Sequence, residues 1–517
     1  MPRLYKSTAV VGGMTMLSRL LGYLRDLVLA VTFGATGATD AFFVAFRIPN
    51  FLRRLFAEGA FSQSFVPVFS EYRENRTREE LKDLTDHVAG TLGLWLLGVT
   101  ALGILIAPIL IFMFAPGFSA GNGRHEMASE MLRITFPYLL FISLTAMAGG
   151  ILNSFGRFGV PAFTPVMLNL AMIAAALWLA PLMDEPVMAL AWGVFIAGVA
   201  QLALQLPFLH RLGVLPRPRF RRGHEGVKRI LTLMLPAIFG SSVVQVNLLV
   251  DTLIASFLAT GSISWLYYSD RFVELPLALF GIAIGTVILP RLSSEHARAG
   301  REDFTHTLDW ALRLSMVIAV PAALGLVLLA TPIFAALIQY REFTADDTRM
   351  AALSLMAYGA GLPAFILIKV LAPGYYSRQD TRTPMRIGIV AVVANMLLNV
   401  LVVVPWVWLE LPGPHAGLAA ATALSAWLNA GMLYRGLRRE GVYEPLSGWR
   451  SLLLKTALAA VALVAVLLWL LPPFDALTAW PPVRRLSWLG LLVAAGAGAY
   501  LLALLLLGLR PRHFMTR

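Results

Sequence analysis

A long stretch of this chain, apolar enough over most of its length to lie in a membrane, is studded with ionised side chains. The stretch 18–71 reads SRLLGYLRDLVLAVTFGATGATDAFFVAFRIPNFLRRLFAEGAFSQSFVPVFSE and could lie in a membrane, yet it carries Arg19, Arg25, Asp26, Asp40, Arg47, Arg53, Arg54 and Glu58. A charge at mid-bilayer costs about 3 kcal/mol or more. Such a set persists only by facing a wet cavity, by pairing internally, or by meeting a charged ligand. Its excess is cationic, so the expected ligand is an anion.

The surrounding chain fits that setting. Of its 517 residues 58% are hydrophobic and 14% charged, against about 25% charged in soluble domains. These values predict an all-α polytopic membrane protein, and at about 35 residues per helix and loop, with spans of about 20, its length accommodates about 14 transmembrane helices. The apolar runs place them from 8–33 and 37–71 at the start to 451–471 and 486–509 at the end. Cysteine is absent, which excludes disulfides and thiolate metal sites. The basic N-terminus MPRLYKS precedes no small-residue cleavage site, so the first apolar run is expected to be a retained span. The net charge of +13 sits mostly in short loops, which argues for membrane topology and against a nucleic-acid partner.

Lys and Arg crowd the loops after the even-numbered spans, among them Arg73, Arg76, Arg157, Arg217, Arg219, Arg378 and Arg435. The positive-inside rule then puts both termini in the cytoplasm, which requires an even number of spans. The basic loop PRPRFRRGHEGVKR near mid-chain reads as a topology signal beside anionic lipid. The histidines are scattered and show no HExxH or other metal spacing.

A repeat crosses that loop. Shifted by 224 residues, Phe33, Thr36, Gly37, Arg47, Leu55, Phe56, Ser70 and Glu71 fall on Phe257, Thr260, Gly261, Arg271, Leu279, Phe280, Ser294 and Glu295. Six spans separate the copies, so both have the same orientation, a pattern common in secondary transporters. The expected organisation is two pseudo-symmetric six-helix lobes, 1–215 and 229–440, joined by a cytoplasmic linker, 216–228. Two additional helices occupy 441–517, with Ala459, Ala460, Gly496 and Gly498 marking packing faces.

On the second span Asp40, Arg47, Arg54 and Glu58 fall near one helical face; Asn50 is adjacent and Pro49 can bend the helix. On the first, Arg19 and Asp26 share a face, while Arg25 lies about 120° away on an ideal helix and needs its long stem to join them. On the eighth, Tyr267, Arg271 and Glu274 follow helical spacing beside Asp270. The repeat sets Arg271 opposite Arg47, so both lobes are expected to contribute to a cationic cluster. Arginine suits a phosphate or pyrophosphate because its fork bonds two oxygens and stays charged. Internal salt bridges are the alternative. A second polar group, Asp251 with Asn395 and Asn399, offers oxygen ligands for Na⁺ or a proton, or else an interhelical hydrogen bond.

The runs MTMLSRLLGYLRD, TDAFFVAFRIPNFLRRLFAEGAFSQSFVPVFSEY and YYSDRFVELPLALFGIAIGTVILP resemble the MurJ/MviN family, bacterial lipid II flippases of the wider multidrug/oligosaccharidyl-lipid/polysaccharide exporter superfamily. The resemblance runs essentially end to end. It implies a transporter in peptidoglycan biosynthesis and not an enzyme. Such a transporter moves the undecaprenyl-pyrophosphate-linked disaccharide-pentapeptide to the outer leaflet of the bacterial inner membrane by alternating access. The family's cavity arginines match Arg19, Arg25, Arg53 and Arg271, and its cavity acids match Asp26, Asp40, Glu58 and Glu274. Arg53 is preferred here over the Arg54 of the helical-wheel reading, since Pro49 disturbs the helical phase. The extra helices correspond to a groove for the lipid tail. The Na⁺ site of some members matches Asp251, Asn395, Asn399 and Thr422, with an amide at Asn399 where a carboxylate is expected. No cofactor is implied; coupling would come from Na⁺, H⁺ or the membrane potential. Lipid II, membrane lipids and cell-wall synthesis proteins are the implied partners. A flippase for another polyprenyl-linked glycan, or an ion-coupled drug exporter of the same fold, is the alternative.

Overall fold

The computed structural model of the chain describes residues 2–119, 123–220, 223–297 and 301–509, and of these 2–9, 57–59, 235–246 and 301 by backbone alone. Among the described residues every regular element is helical. The chain divides into two compact units, Met1–Ser264 and Trp265–Arg517.

The first unit begins with α1 (Pro2–Phe33) and α2 (Gly37–Leu52), which runs through a π-helical stretch at 53–61 into α3 (Ser62–Asn75). Next come α4 (Arg78–Leu105), α5 (Ala107–Phe114), α6 (Arg124–Thr135), α7 (Tyr138–Ser154), α8 (Gly159–Ala174), α9 (Met188–Arg211) and α10 (Glu225–Ser256). Local chemistry sets the boundaries. Gly34 takes φ +65° after α1, the left-handed geometry that ends helices. Thr36 caps α2 by accepting from the Thr39 N–H, and Thr77 with Glu80 forms a reciprocal capping box at α4. Helix α1 packs on α8, α2 on α6, α7 on α9, and α10 on α3 and the π stretch. Phe61, Phe65 and Phe69 of the π–α3 run anchor a core shared with α4, α7 and α10.

The second unit contains α11 (Ser262–Pro276), whose first turn belongs to the first unit, a π stretch at 277–282, α12 (Ala283–Ala297), α13 (Arg301–Leu328) and α14 (Ala330–Leu337). It continues with α15 (Ala345–Tyr376), α16 (Arg382–Trp408), α17 (His415–Arg439), α18 (Trp449–Leu470), α19 (Phe474–Ala479) and α20 (Pro482–Leu506). Helix α15 packs on α13 and α17, and α16 on α17. The extra pair α18 and α20 packs together and against α13 and α14. Ala459 is fully buried in that seam, and a Cβ on Gly496 would stand 3.1 Å from Leu467. Gly498 faces open space, so it is not part of the packing face that the sequence suggested.

Eleven helices among the described residues are long and apolar enough to cross a membrane. Of the three further spans expected from sequence, α1 carries Arg19, Arg25 and Asp26, and the 37–71 run carries Asp40, Arg47, Arg53, Arg54 and Glu58, more charge than an ordinary span holds. The third, α10, includes 235–246, described by backbone alone, and Asn247–Ser256 is its described apolar part. The division by contact also differs from the repeat-based one: α10 was expected in the second lobe, yet its packing on α3 and the π stretch groups it with the first unit.

Two devices recur within the units. The π stretches sit at corresponding places, since the 224-residue shift carries Arg53 onto Leu277. Each unit also ties the connector after its last repeat helix to a buried aspartate. In the first, Asp86 Oδ1 accepts the Arg217 N–H at 2.7 Å, and its carbonyl accepts the Arg219 N–H at 3.0 Å. Glycine at 90 admits this approach, because a Cβ there would lie 2.1 Å from the Arg219 carbonyl oxygen. In the second, Asp309 is 2% exposed and accepts from Tyr443 Oη and Trp449 Nε1, both at 2.7 Å, from the Leu446 N–H at 3.2 Å and from Arg313 Nε at 2.5 Å. Asp309 lies within one residue of where the shift carries Asp86.

Candidate functional site

On α1, Arg25 and Asp26 are both buried, although successive helical residues point about 100° apart. The arginine stem closes the gap. Its Nε and Nη2 donate to Asp26 Oδ1 at 2.9 and 2.6 Å, while Nη1 donates to Asn169 Oδ1 on α8 at 3.0 Å. Asn169 Nδ2 donates in turn to the Ser18 carbonyl at 2.9 Å. Arg19, which shares the Asp26 face on an ideal helix, is exposed. Asn169 was not anticipated; a lone amide in the apolar run VMLNLAM was its only sequence signal.

On α2, Asp40 is 1% exposed, and its oxygens accept from the Gly261 N–H at 2.7 Å, the Ser264 N–H at 2.9 Å and Ser264 Oγ at 2.6 Å. These donors lie at the first turn of α11, where N–H groups lack intrahelical acceptors and the helix dipole favours an anion. Ser264 is also the residue onto which the repeat carries Asp40. The carboxylate is thus engaged by the chain's own donors. Asn in its place keeps the shape but turns one acceptor into a donor facing donors. Asp40→Asn is expected to lower stability by about 1–3 kcal/mol, read as a fall in the thermal midpoint of the purified protein.

About two turns on, half-buried Arg47 donates through Nη1 to the Thr252 hydroxyl on α10, and not to Asp40 as an internal salt bridge would require. Arg53 Nε donates to Asn50 Oδ1 at 3.2 Å. Arg53 is half-buried and Arg54 exposed. The reason lies in the backbone: from Arg53 onward the helix is π-bonded, with more residues per turn than an α-helix, so an α-helical wheel assigns wrong faces beyond Leu52. The Glu58 side chain lies outside the described residues.

In the second unit the predicted trio on α11 comes together. Arg271 Nη1 donates to Glu274 Oε2 at 2.6 Å and Nη2 to Tyr267 Oη at 3.4 Å, with the guanidinium 4.8 Å from the Tyr267 ring centre. Asp270 and Glu274 are exposed. The second polar group also forms in part. Asn399 Nδ2 donates to Asn395 Oδ1 at 3.0 Å, and Asn395 Nδ2 to Thr422 Oγ1 at 3.2 Å. Asp251 belongs to the first unit, where Asn247 donates to it at 3.5 Å. The donor set is all oxygen, which suits Na⁺ better than a transition metal.

The histidines are less scattered than the sequence implied. Asp83 and His87 of α4 meet His224 at the start of α10, with a ligand atom from each within 4.8 Å of the others. The i, i+4 spacing of Asp83 and His87 was the available signal, and the third member comes from the connector.

Comparison with known proteins follows this geometry. The family described as lipid II flippase MurJ matches residues 29–480. A probable lipid II flippase MurJ of Vibrio cholerae is 48% identical over 515 residues, covering 98% of this chain and 97% of its own. The lipid II flippase MurJ of Burkholderia cenocepacia is 40% identical, with 99% of each chain covered. Among solved structures, a lipid II flippase MurJ in an inward closed conformation is similar at a TM-score of 0.77 and 25% identity, over 96% of this chain and 98% of that one. An inward-facing multidrug resistance MATE family transporter of the MOP superfamily shares the fold at a TM-score of 0.62 and 15% identity, over 84% of this chain and 98% of its own.

Proposed function

The chain belongs to the lipid II flippase MurJ family, and from that premise we propose that it carries lipid II by offering arginines of both units to the pyrophosphate. It is a multi-pass transporter of the bacterial inner membrane and not an enzyme. The observation that carries the arginine reading is Arg47, half-buried in an apolar helix, whose described partner is the neutral Thr252 hydroxyl. A cation held this way keeps its charge available for a polyanion. Arg271 is similar in kind: its described partners include an exposed carboxylate and a tyrosine, and a pyrophosphate can replace both with bidentate bonds.

In this scheme Arg19, Arg25, Arg47, Arg53 and Arg271 receive the headgroup, and Asp26, Glu58, Asp270 and Glu274 hold the guanidinium groups in place between cycles. Anion binding relieves repulsion among the arginines and favours closure on the loading side, and the lobes rock about the bound headgroup. Both termini face the cytoplasm, and loading is from the inner leaflet, as the flippase reading requires. Return is driven by the inside-negative potential, or by Na⁺ or H⁺ at Asp251 with Asn395, Asn399 and Thr422. The extra pair α18 and α20 receives the lipid tail, and cell-wall synthesis proteins take up the product.

The test is lipid II exposed at the outer leaflet of cells depleted of their own flippase and supplied with this chain. Restored exposure is expected. A well-expressed chain that restores nothing would move the substrate to another polyprenyl-linked glycan.

A further inference from the structure

We propose that Asp83, His87 and His224 form a binding site for a divalent transition metal, zinc by its chemistry, which staples the connector before α10 to α4. A nitrogen or oxygen from each residue already lies within 4.8 Å of the others, and the two imidazole rings stack with centres 4.8 Å apart and planes inclined by 24°. Zinc takes its N and O ligands at about 2.0–2.2 Å and accepts three protein ligands plus water, so modest side-chain rotation closes the set. His87 is 6% exposed and Asp83 keeps a half-exposed side chain, giving the ion a path in and leaving room for water at its fourth position.

The resting hydrogen bonds make a labile arrangement. His224 Nδ1 accepts the Val227 N–H at 3.4 Å, which leaves the ring proton on Nε2, directed at Asp83 Oδ2 at 3.2 Å. Ligation by Nε2 moves that proton to Nδ1 and gives up a long cap bond. His87 Nδ1 lies 2.8 Å from the Asp83 carbonyl oxygen and 3.3 Å from Asp83 Oδ1. A helix cap alone needs one small acceptor, for which Ser, Thr, Asp or Asn suffices. A second imidazole and a carboxylate beside it go beyond that need and compose a zinc donor set. The connector is already laid along α4 by Asp86 and Gly90, so a metal one turn away adds the bond that closes its far end.

The test uses the full chain, freed of any affinity tag and of metal, titrated with zinc chloride. Bound zinc is counted by mass spectrometry, and trypsin cleavage is followed within 211–229. One zinc per chain is expected above the level of the His87→Gln, His224→Gln double variant. At a zinc concentration of 100 times Kd, cleavage that requires the connector to open should slow about 100-fold. His210→Ala should behave as wild type, and magnesium should not protect. Wild type binding no more zinc than the double variant, or binding it without slowing cleavage, would overturn the proposal.

Discussion

Arg271→Ala is expected to cut lipid II translocation by about 100-fold or more while the protein stays folded. Hydrogen bonds to charged groups contribute about 1.5–3 kcal/mol each, and a bidentate arginine–pyrophosphate contact supplies two, so losing the fork costs at least two decades in rate if it acts on the transported state. Folding should change little. Arg271 and Glu274 form a pair with 30% and 51% side-chain exposure, and partly exposed pairs of this kind contribute about 0–1 kcal/mol. Arg271→Lys keeps the charge without the fork and should fall between the two. Translocation of labelled lipid II in proteoliposomes, at matched reconstitution and with thermal midpoints taken in parallel, checks both halves. Equal fluxes for wild type and Arg271→Ala would remove Arg271 from the transport path.

The largest stability effect is expected at Asp309. Its carboxylate is the common acceptor for Tyr443, Leu446, Trp449 and Arg313, and it is almost wholly buried. Alanine leaves these donors facing a cavity. Arg313 retains the Leu446 and Ser447 carbonyls, whereas the tyrosine and indole donors lose a short bond each. Removing one partner from such a buried set costs about 3–5 kcal/mol. The Tyr443 hydroxyl, whose pKa burial pushes up, cannot ionise to compensate. Asp309→Ala should lower the thermal midpoint and expose the 440–448 connector to proteolysis, loosening α18 from α13; Asp309→Asn should do so less. An unchanged cleavage pattern would show that the connector is held elsewhere.

Much of this was legible in the chain. Hydropathy and loop charge gave an all-helical membrane protein, and the 224-residue shift predicted copies whose π stretches and connector aspartates now correspond. The trio Tyr267, Arg271 and Glu274 followed from spacing because α11 is a regular α-helix there. Arg53 and Arg54 resisted the same reasoning because π bonding changes the phase, and nothing in RRLFAEGAF announces it. Asp40 reads from sequence as a cavity acid, and its donors, Gly261 and Ser264, could not be foreseen because they lie far along the chain. The Asp83, His87 and His224 group was hidden for the same reason: its third member arrives through a connector whose path depends on Asp86 and Gly90.

The most direct measurement of pyrophosphate capture is competition for lipid II on the purified wild-type protein by two lipids that lack the disaccharide-pentapeptide, undecaprenyl pyrophosphate and the uncharged alcohol undecaprenol. The arginine reading predicts displacement by the pyrophosphate and little by the alcohol, with the difference shrinking as salt is raised. Equal competition by the two would contradict it and assign recognition to the lipid tail alone.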